Sequence, residues 1–182
     1  MKKIALAMAV LAMSGTAFAQ KTGGEMGKTK TLVAWFSATG TTEKAAEIIA
    51  EVTGGDMHEI RPAEEYTAAD LDWRDRESRS SRENADPASR PEIVKDLGNA
   101  DGYDTIYIGY PIWWNVAPRV INTFIETYGF EGKTVIPFAT SGGSTISNSV
   151  KVLRETYPGI RWQEGRLLNG ASESSVRQWL GR

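Results

Sequence analysis

A chain of 182 residues, 41% hydrophobic and 24% charged, is long enough for one domain with a substantial core, and this balance argues against both intrinsic disorder and full embedding in a membrane. Its formal net charge of −2 provides no basic field for nucleic acid. With no cysteine, the chain has no disulfide, no catalytic thiol, no cysteine-held metal and no lipid anchor through cysteine.

Residues 1–19 read as a cleavable secretory signal. Lys2 and Lys3 form a positive start, Ile4 to Met13 is an apolar run short for a bilayer span, and Ala17-Phe18-Ala19 makes a cleavage site before Gln20. No twin arginine is present, so the general secretory route is expected over folded export. The expected product is a periplasmic chain that starts at Gln20, with no integral membrane segment after cleavage. Cleavage removes two lysines and no acid, so the mature net charge becomes −4. Residues 20–30 are polar and glycine-rich, a flexible lead-in to a single domain over residues 31–182.

Thr31 to Phe36 reads as a strand. It stops at Ser37, and Ser37-Ala38-Thr39-Gly40-Thr41-Thr42 is a tight hydroxyl-rich loop. Ala45, Ile48, Ile49 and Val52 then fall on one helical face, and Gly54-Gly55 ends that helix. A helix N-terminus has unpaired amides and the positive end of the dipole, so this loop can hold a phosphate without a cationic side chain. Gly40 allows close backbone approach, whereas the Gly-Lys-Ser/Thr of an ATP-binding P-loop is absent.

Asp56 to Ile60 alternates as a second, outer strand, with His58, the sole histidine, expected at the surface. His58 has no evident partner, so no catalytic residue and no metal ligand is assigned. Residues Tyr66 to Glu83 read as a solvent-facing helix carrying Tyr66, Ala69 and Trp73 inward. The run Arg74, Arg76, Arg79 and Arg82, interleaved with acids, reads as its solvated face, with a docking patch for an anionic group as the alternative.

Tyr103 to Gly109 is a strong strand that runs into Tyr110-Pro111-Ile112-Trp113-Trp114-Asn115. Pro118 suits a first helical turn, and Ala117, Val120, Ile121, Phe124, Ile125 and Tyr128 form an apolar face ended by Gly129. Thr134 to Ala139 is the next strand, although Pro137 counts against a central position. Thr140-Ser141-Gly142-Gly143-Ser144 is a second hydroxyl–glycine loop. A helix with Ile146, Val150, Leu153 and Tyr157 inward, a last strand within Ile160 to Leu168 and a short helix with Val176, Trp179 and Leu180 complete the chain. This alternation of strand and helix predicts an α/β fold, a doubly wound parallel sheet with helices on both faces.

The first loop resembles the phosphate-binding loop of the flavodoxin family, which has a Ser/Thr-x-Thr-Gly-x-Thr pattern at its first βα turn, and residues 37–42 fit at each defined position. Pro111-Ile112-Trp113 matches the family's Pro-x-Trp loop, and residues 109–118 resemble a subgroup with a Gly-Tyr-Pro-x-Trp-Trp turn before a proline-started helix. The resemblance covers residue 31 to about residue 182. It implies a five-stranded sheet of order 2-1-3-4-5, in which the loops after strands one, three and four converge on one crevice. Flavodoxin is itself a standing instance of that rule, with FMN at the switch point.

The expected FMN-binding residues are then Ser37, Thr39, Gly40, Thr41 and Thr42 at the phosphate, Pro111, Ile112, Trp113, Trp114 and Asn115 at the ring, and Thr140, Ser141, Gly142 and Gly143 as donors. Many flavodoxins carry a stacking tyrosine in the last of these loops, but residues 140–149 here contain no aromatic. Either Trp114 takes that part or the outer face is open. Two-electron chemistry is therefore expected to come more readily than in a typical flavodoxin, since about 1.4 kcal/mol moves a one-electron potential by about 59 mV. The expectation is an exported FMN-dependent oxidoreductase of small molecules. The alternatives are a one-electron carrier serving a protein partner and a non-redox binder of another phosphate ester. Donor and acceptor, whether nicotinamide, quinone or protein, are not named by the residues.

Overall fold

The structure, a computed structural model, describes residues 30–182. The expected signal segment over 1–19 and all of the lead-in but Lys30 lie outside the described residues. Five strand positions form one parallel sheet: β1 (Thr31–Trp35), β2 (Asp56–Glu59), β3 (Thr105–Pro111), β4 (Thr134–Thr140), and a last position shared by β5 (Arg161–Trp162) and β6 (Arg166–Leu167). The order is β2-β1-β3-β4-β5, as the resemblance implied, and the one last strand expected within Ile160 to Leu168 is divided into β5 and β6, both paired to β4. The helices are α1 (Thr41–Thr53), α2 (Arg79–Ala85), α3 (Arg119–Tyr128), α4 (Ser147–Thr156) and α5 (Glu173–Leu180).

Alternation along the strands makes two cores. Leu32, Ala34 and Phe36 with Ile106, Ile108 and Tyr110 face Val120, Phe124 and Leu153 of α3 and α4. On the other face Val33, Trp35, Tyr107 and Phe138 meet Ala46 and Ile49 of α1 and Val176 of α5. Gly109 is paired in register with Phe138, whose ring lies over it.

Pro137 is accommodated in an inner strand for a reason the ladder makes visible. Val135 and Ala139, of the same parity, accept from Gln163 N and Leu168 N at 2.8 Å each. The amide that Pro137 lacks would therefore point at the break between β5 and β6. There a side chain on Gly165 would meet the Pro137 carbonyl at 3.2 Å.

The structure differs from the sequence reading before α2 and at His58. Of the expected Tyr66–Glu83 helix only residues 79–83 are helical, as the start of α2 (Arg79–Ala85), and Trp73, expected inward, is 67% exposed. The reason is local competition. Asp70 accepts from the amide and hydroxyl of Thr67 at 2.9 and 2.7 Å, and Asp72 and Asp75 accept from the amides two residues on, which closes turns in place of a helical ladder. His58 is not at the surface. Its side chain is only 10% exposed, stacked on Phe124 at 5.6 Å with Tyr128 edge-on.

Candidate functional site

The first loop is shaped by its backbone. Phe36 N donates to Gly109 O at 2.9 Å, holding the end of β1 against β3. Gly40 then takes φ 77 as the residue before α1, a conformation that favours glycine. Thr39 and Thr41 are exposed, with their hydroxyl oxygens 3.4 Å apart, and Ser37 is half-buried. Thr42 differs: it is 1% exposed and its hydroxyl shares a 2.8 Å hydrogen bond with that of Thr140. Three hydroxyls and the first-turn amides of α1 are thus presented together, and no lysine or arginine lies between residues 37 and 43. Glu43, in the first turn, lies beside Gly40 and Lys44 follows it, while Glu59, Arg61 and Glu65 share a neighbouring cleft with Ser37.

After β3, Ile112 N donates to Thr140 O at 2.8 Å and the chain reverses. Trp113 N donates to Val116 O at 3.1 Å and Val116 N returns a bond to Trp113 O at 2.9 Å. Between them Trp114 has φ 45 and Asn115 φ 67, the two left-handed positions of a type I′ turn. Asn suits such a position and Trp does not, so Trp114 is held in strain of about 1–3 kcal/mol. Asn148 steadies the turn by donating from Nδ2 to Asn115 O at 3.0 Å. The two tryptophans separate: Trp113 packs edge-on against Phe36 at 5.5 Å and Tyr66 at 5.3 Å, while Trp114 remains 40% exposed.

The loop after β4 is tied to itself. Ser141 Oγ accepts from Gly143 N at 3.1 Å and Ser144 N at 2.7 Å. Ser141 N donates to Asn169 Oδ1 at 2.9 Å, and Asn169 Nδ2 donates to Ser141 O at 2.6 Å. Gly142 and Gly143 are exposed at its tip.

These loops meet at the C-terminal edge of the sheet, where β1 and β3 are neighbours in an order that reverses direction. A cleft of about 410 Å³ opens there. The first loop contributes Ala38 and Thr39, the second Pro111 to Trp114, and the β2–β3 segment Leu71, Trp73 and Ser80. No residue of 140–144 lines it. A polar cleft of about 610 Å³ lies on the other side of Ser37 and Ala38, against Glu59, Arg61 and Glu65. A third, of about 500 Å³, sits at the far end of the sheet by Gly129 and Gly159, away from the hydroxyl loops.

Several residues that pack beside Trp113 and Ser80, without lining the cleft themselves, carry no motif. The Tyr66 hydroxyl donates to Glu83, which also takes Arg79 Nε at 2.7 Å, and the Arg79 guanidinium lies 4.1 Å from the Tyr66 ring centroid. Burial first, then the Glu83 carboxylate, pushes the Tyr66 phenol far above its ordinary value. Arg79 is therefore part of a packed network rather than a solvated face; its i,i+4 spacing to Glu83 was the one signal for it. Arg119, 9% exposed, donates to the carbonyls of Glu83 at 3.2 Å and Asn84 at 3.0 Å, closing the end of α2.

A family model described as Flavodoxin matches residues 30–182. The chain is similar to the crystal structure of a candidate flavoprotein from Bacteroides uniformis, with 62% identity over 85% of this chain and 99% of that one, TM-score 0.82. A candidate flavoprotein from Bacteroides eggerthii matches at 57% identity over 84% and 96%, TM-score 0.81. A flavoprotein from Lactobacillus acidophilus, solved in complex with FMN, matches at 26% identity over 84% and 99%, TM-score 0.64. No curated protein matches the chain at a significant level.

Proposed function

This chain belongs to the flavodoxin family, and from that premise we propose that it binds FMN between its β1 and β3 loops and acts as an FMN-dependent oxidoreductase of small molecules. One observation carries the reading. Thr39 belongs both to the hydroxyl loop at the N-terminus of α1 and to the cleft lined by Trp113 and Trp114. A ligand with a phosphate at one end and a flat ring at the other is matched by these two parts together.

The residues fit the cofactor. Ser37, Thr39, Thr41 and the first amides of α1 are neutral donors at a positive dipole end, suited to a phosphate monoester. Gly40, with no side chain and φ 77, keeps the approach clear. Glu43 in the first turn, and Glu59 and Glu65 across the neighbouring cleft, are unfavourable charges, all exposed and therefore screened by water. When bound, FMN supplies the redox chemistry, accepting and passing on electrons. The chain positions it. The phosphate donors fix one end, the I′ turn holds Trp114 against the cleft, and Asn148 fixes the Asn115 carbonyl.

The residues also bear on the number of electrons moved. No carboxylate lines the cleft, and the mature chain carries only four net negative charges if cut before Gln20. Both features lessen the penalty on adding negative charge to the ring, which favours two-electron transfer to a nicotinamide, a quinone or another small acceptor over single-electron relay. We place this activity in the periplasm, on the signal-like pattern of residues 1–19.

One preparation tests both parts. Protein recovered from the periplasmic fraction should have the intact mass of a chain starting at Gln20, and stepwise reduction of its FMN-loaded form should give two one-electron potentials that overlap. A full-length cytoplasmic product contradicts the location. Two widely separated potentials contradict the oxidoreductase and favour a carrier serving a protein partner.

A further inference from the structure

The β2–β3 segment brings an exposed tryptophan to the cleft that neither core uses. Trp73 is 67% exposed, yet it lines the same cleft as Thr39, Trp113 and Trp114. Trp73 is not a lone exposed apolar residue but lines one cleft with Leu71, Ile112, Trp113 and Trp114, and a grouped apolar surface of this kind marks a ligand site. Its position is also fixed. Asp72 N donates to Ala69 O at 3.2 Å and Asp75 N to Asp72 O at 3.1 Å, while Asp72 Oδ1 accepts from Arg74 N at 3.0 Å. Immediately upstream, the Asp70 carbonyl accepts both Ser80 N at 3.0 Å and Ser80 Oγ at 2.6 Å, and Ser80 is 2% exposed. Downstream, Arg119 closes α2. The indole therefore stands on a pinned scaffold, with the Arg74 guanidinium 5.4 Å from its ring centroid.

The loop after β4 contributes nothing to this cleft and contains no aromatic between residues 140 and 149. We propose that Trp73 is a flavin-binding residue, its indole forming the aromatic wall of the ring cleft from the β2–β3 segment. The proposal rests on the FMN reading above. It follows from three features together: a phosphate-type donor set at Thr39, a cleft of about 410 Å³ bounded by aromatic residues, and a held, otherwise uncovered indole. Because Arg74 lies on Trp73, the wall brings a positive charge with it, which leaves the two-electron reading intact.

The test is a titration of apo-protein with FMN and with riboflavin, for wild type, W73A and W73F. Trp73 packs in neither core, so W73A should fold with an unchanged melting temperature. W73A should weaken FMN and riboflavin by the same factor, about tenfold, because a ring contact is blind to the phosphate. W73F keeps a ring and should bind both within about threefold of wild type. W73A binding both flavins as wild type does overturns the proposal while leaving the FMN reading standing, as does a loss confined to FMN. If wild type binds neither flavin, the FMN reading fails and takes this proposal with it.

Discussion

Thr42 and Thr140 stand 98 residues apart and meet through a buried 2.8 Å hydrogen bond. That bond holds the first turn of α1 to the end of β4, so it steadies the hydroxyl loop of residues 37–42 from behind. Thr42→Val keeps the shape and strands the Thr140 hydroxyl in the core, at a cost of about 1–3 kcal/mol in urea unfolding with an unchanged slope. T42V/T140V should lose less than the sum of the two single variants, and strict additivity would count against the pairing. The residue types of the first loop were legible in the sequence, because Ser, Thr and Gly at a strand-to-helix turn have few other uses. Which hydroxyl is engaged with the protein was not, since the partner of Thr42 in α1 lies at the end of β4. The separation of Trp113 from Trp114 was legible as well, because adjacent residues on a tight loop cannot share one direction.

At the scale of elements, β3 and β4 interlock through an absence. A Cβ on Gly109 would fall 2.2 Å from Phe138 Cζ, and Phe138 is fully buried. Gly109→Ala must displace that ring and should destabilise the fold by about 2–3 kcal/mol, read as a lower urea midpoint. A change under about 0.5 kcal/mol would mean that the ring moves freely, contrary to the packing described. The strands and amphipathic helices could be read from the sequence because periodicity of burial is a local property. The segment before α2 could not. Its charge-rich spacing suits a helix, but the side chains of Thr67, Asp70, Asp72 and Asp75 bond to nearby amides and win locally. Its attachment to the rest depends on Arg79 and Arg119 reaching backbone carbonyls of Glu64, Glu83 and Asn84, and carbonyls leave no trace in the sequence.

Across the whole molecule, His58 couples the outer strand to α3 and makes stability depend on pH. It stacks on Phe124, lies edge-on to Tyr128 and has Asp96 at 3.8 Å, with Arg61 paired to the same carboxylate. Burial dominates and lowers its pKa from 6.5, Asp96 opposing and Arg61 adding to the shift. The folded state therefore binds fewer protons than the unfolded one. Stability is fully present above the ordinary histidine pKa and is lost as pH falls through it toward the lowered value. Between about pH 7 and 5 the melting temperature of wild type should fall more steeply than that of H58F, which keeps the stack without the titration. Parallel profiles would show that His58 is not the group responsible.

We propose that residues 37–42 hold the phosphate of FMN with neutral donors alone. The direct measurement is the dissociation constant of FMN against that of riboflavin, for wild type and for Thr39→Val combined with Thr41→Val. Neither hydroxyl is buried, so the fold should survive the change. The double variant should weaken FMN by about tenfold to a hundredfold and leave riboflavin within about twofold of wild type. Equal weakening of the two ligands, or no weakening of either, would contradict the assignment of the phosphate to this loop.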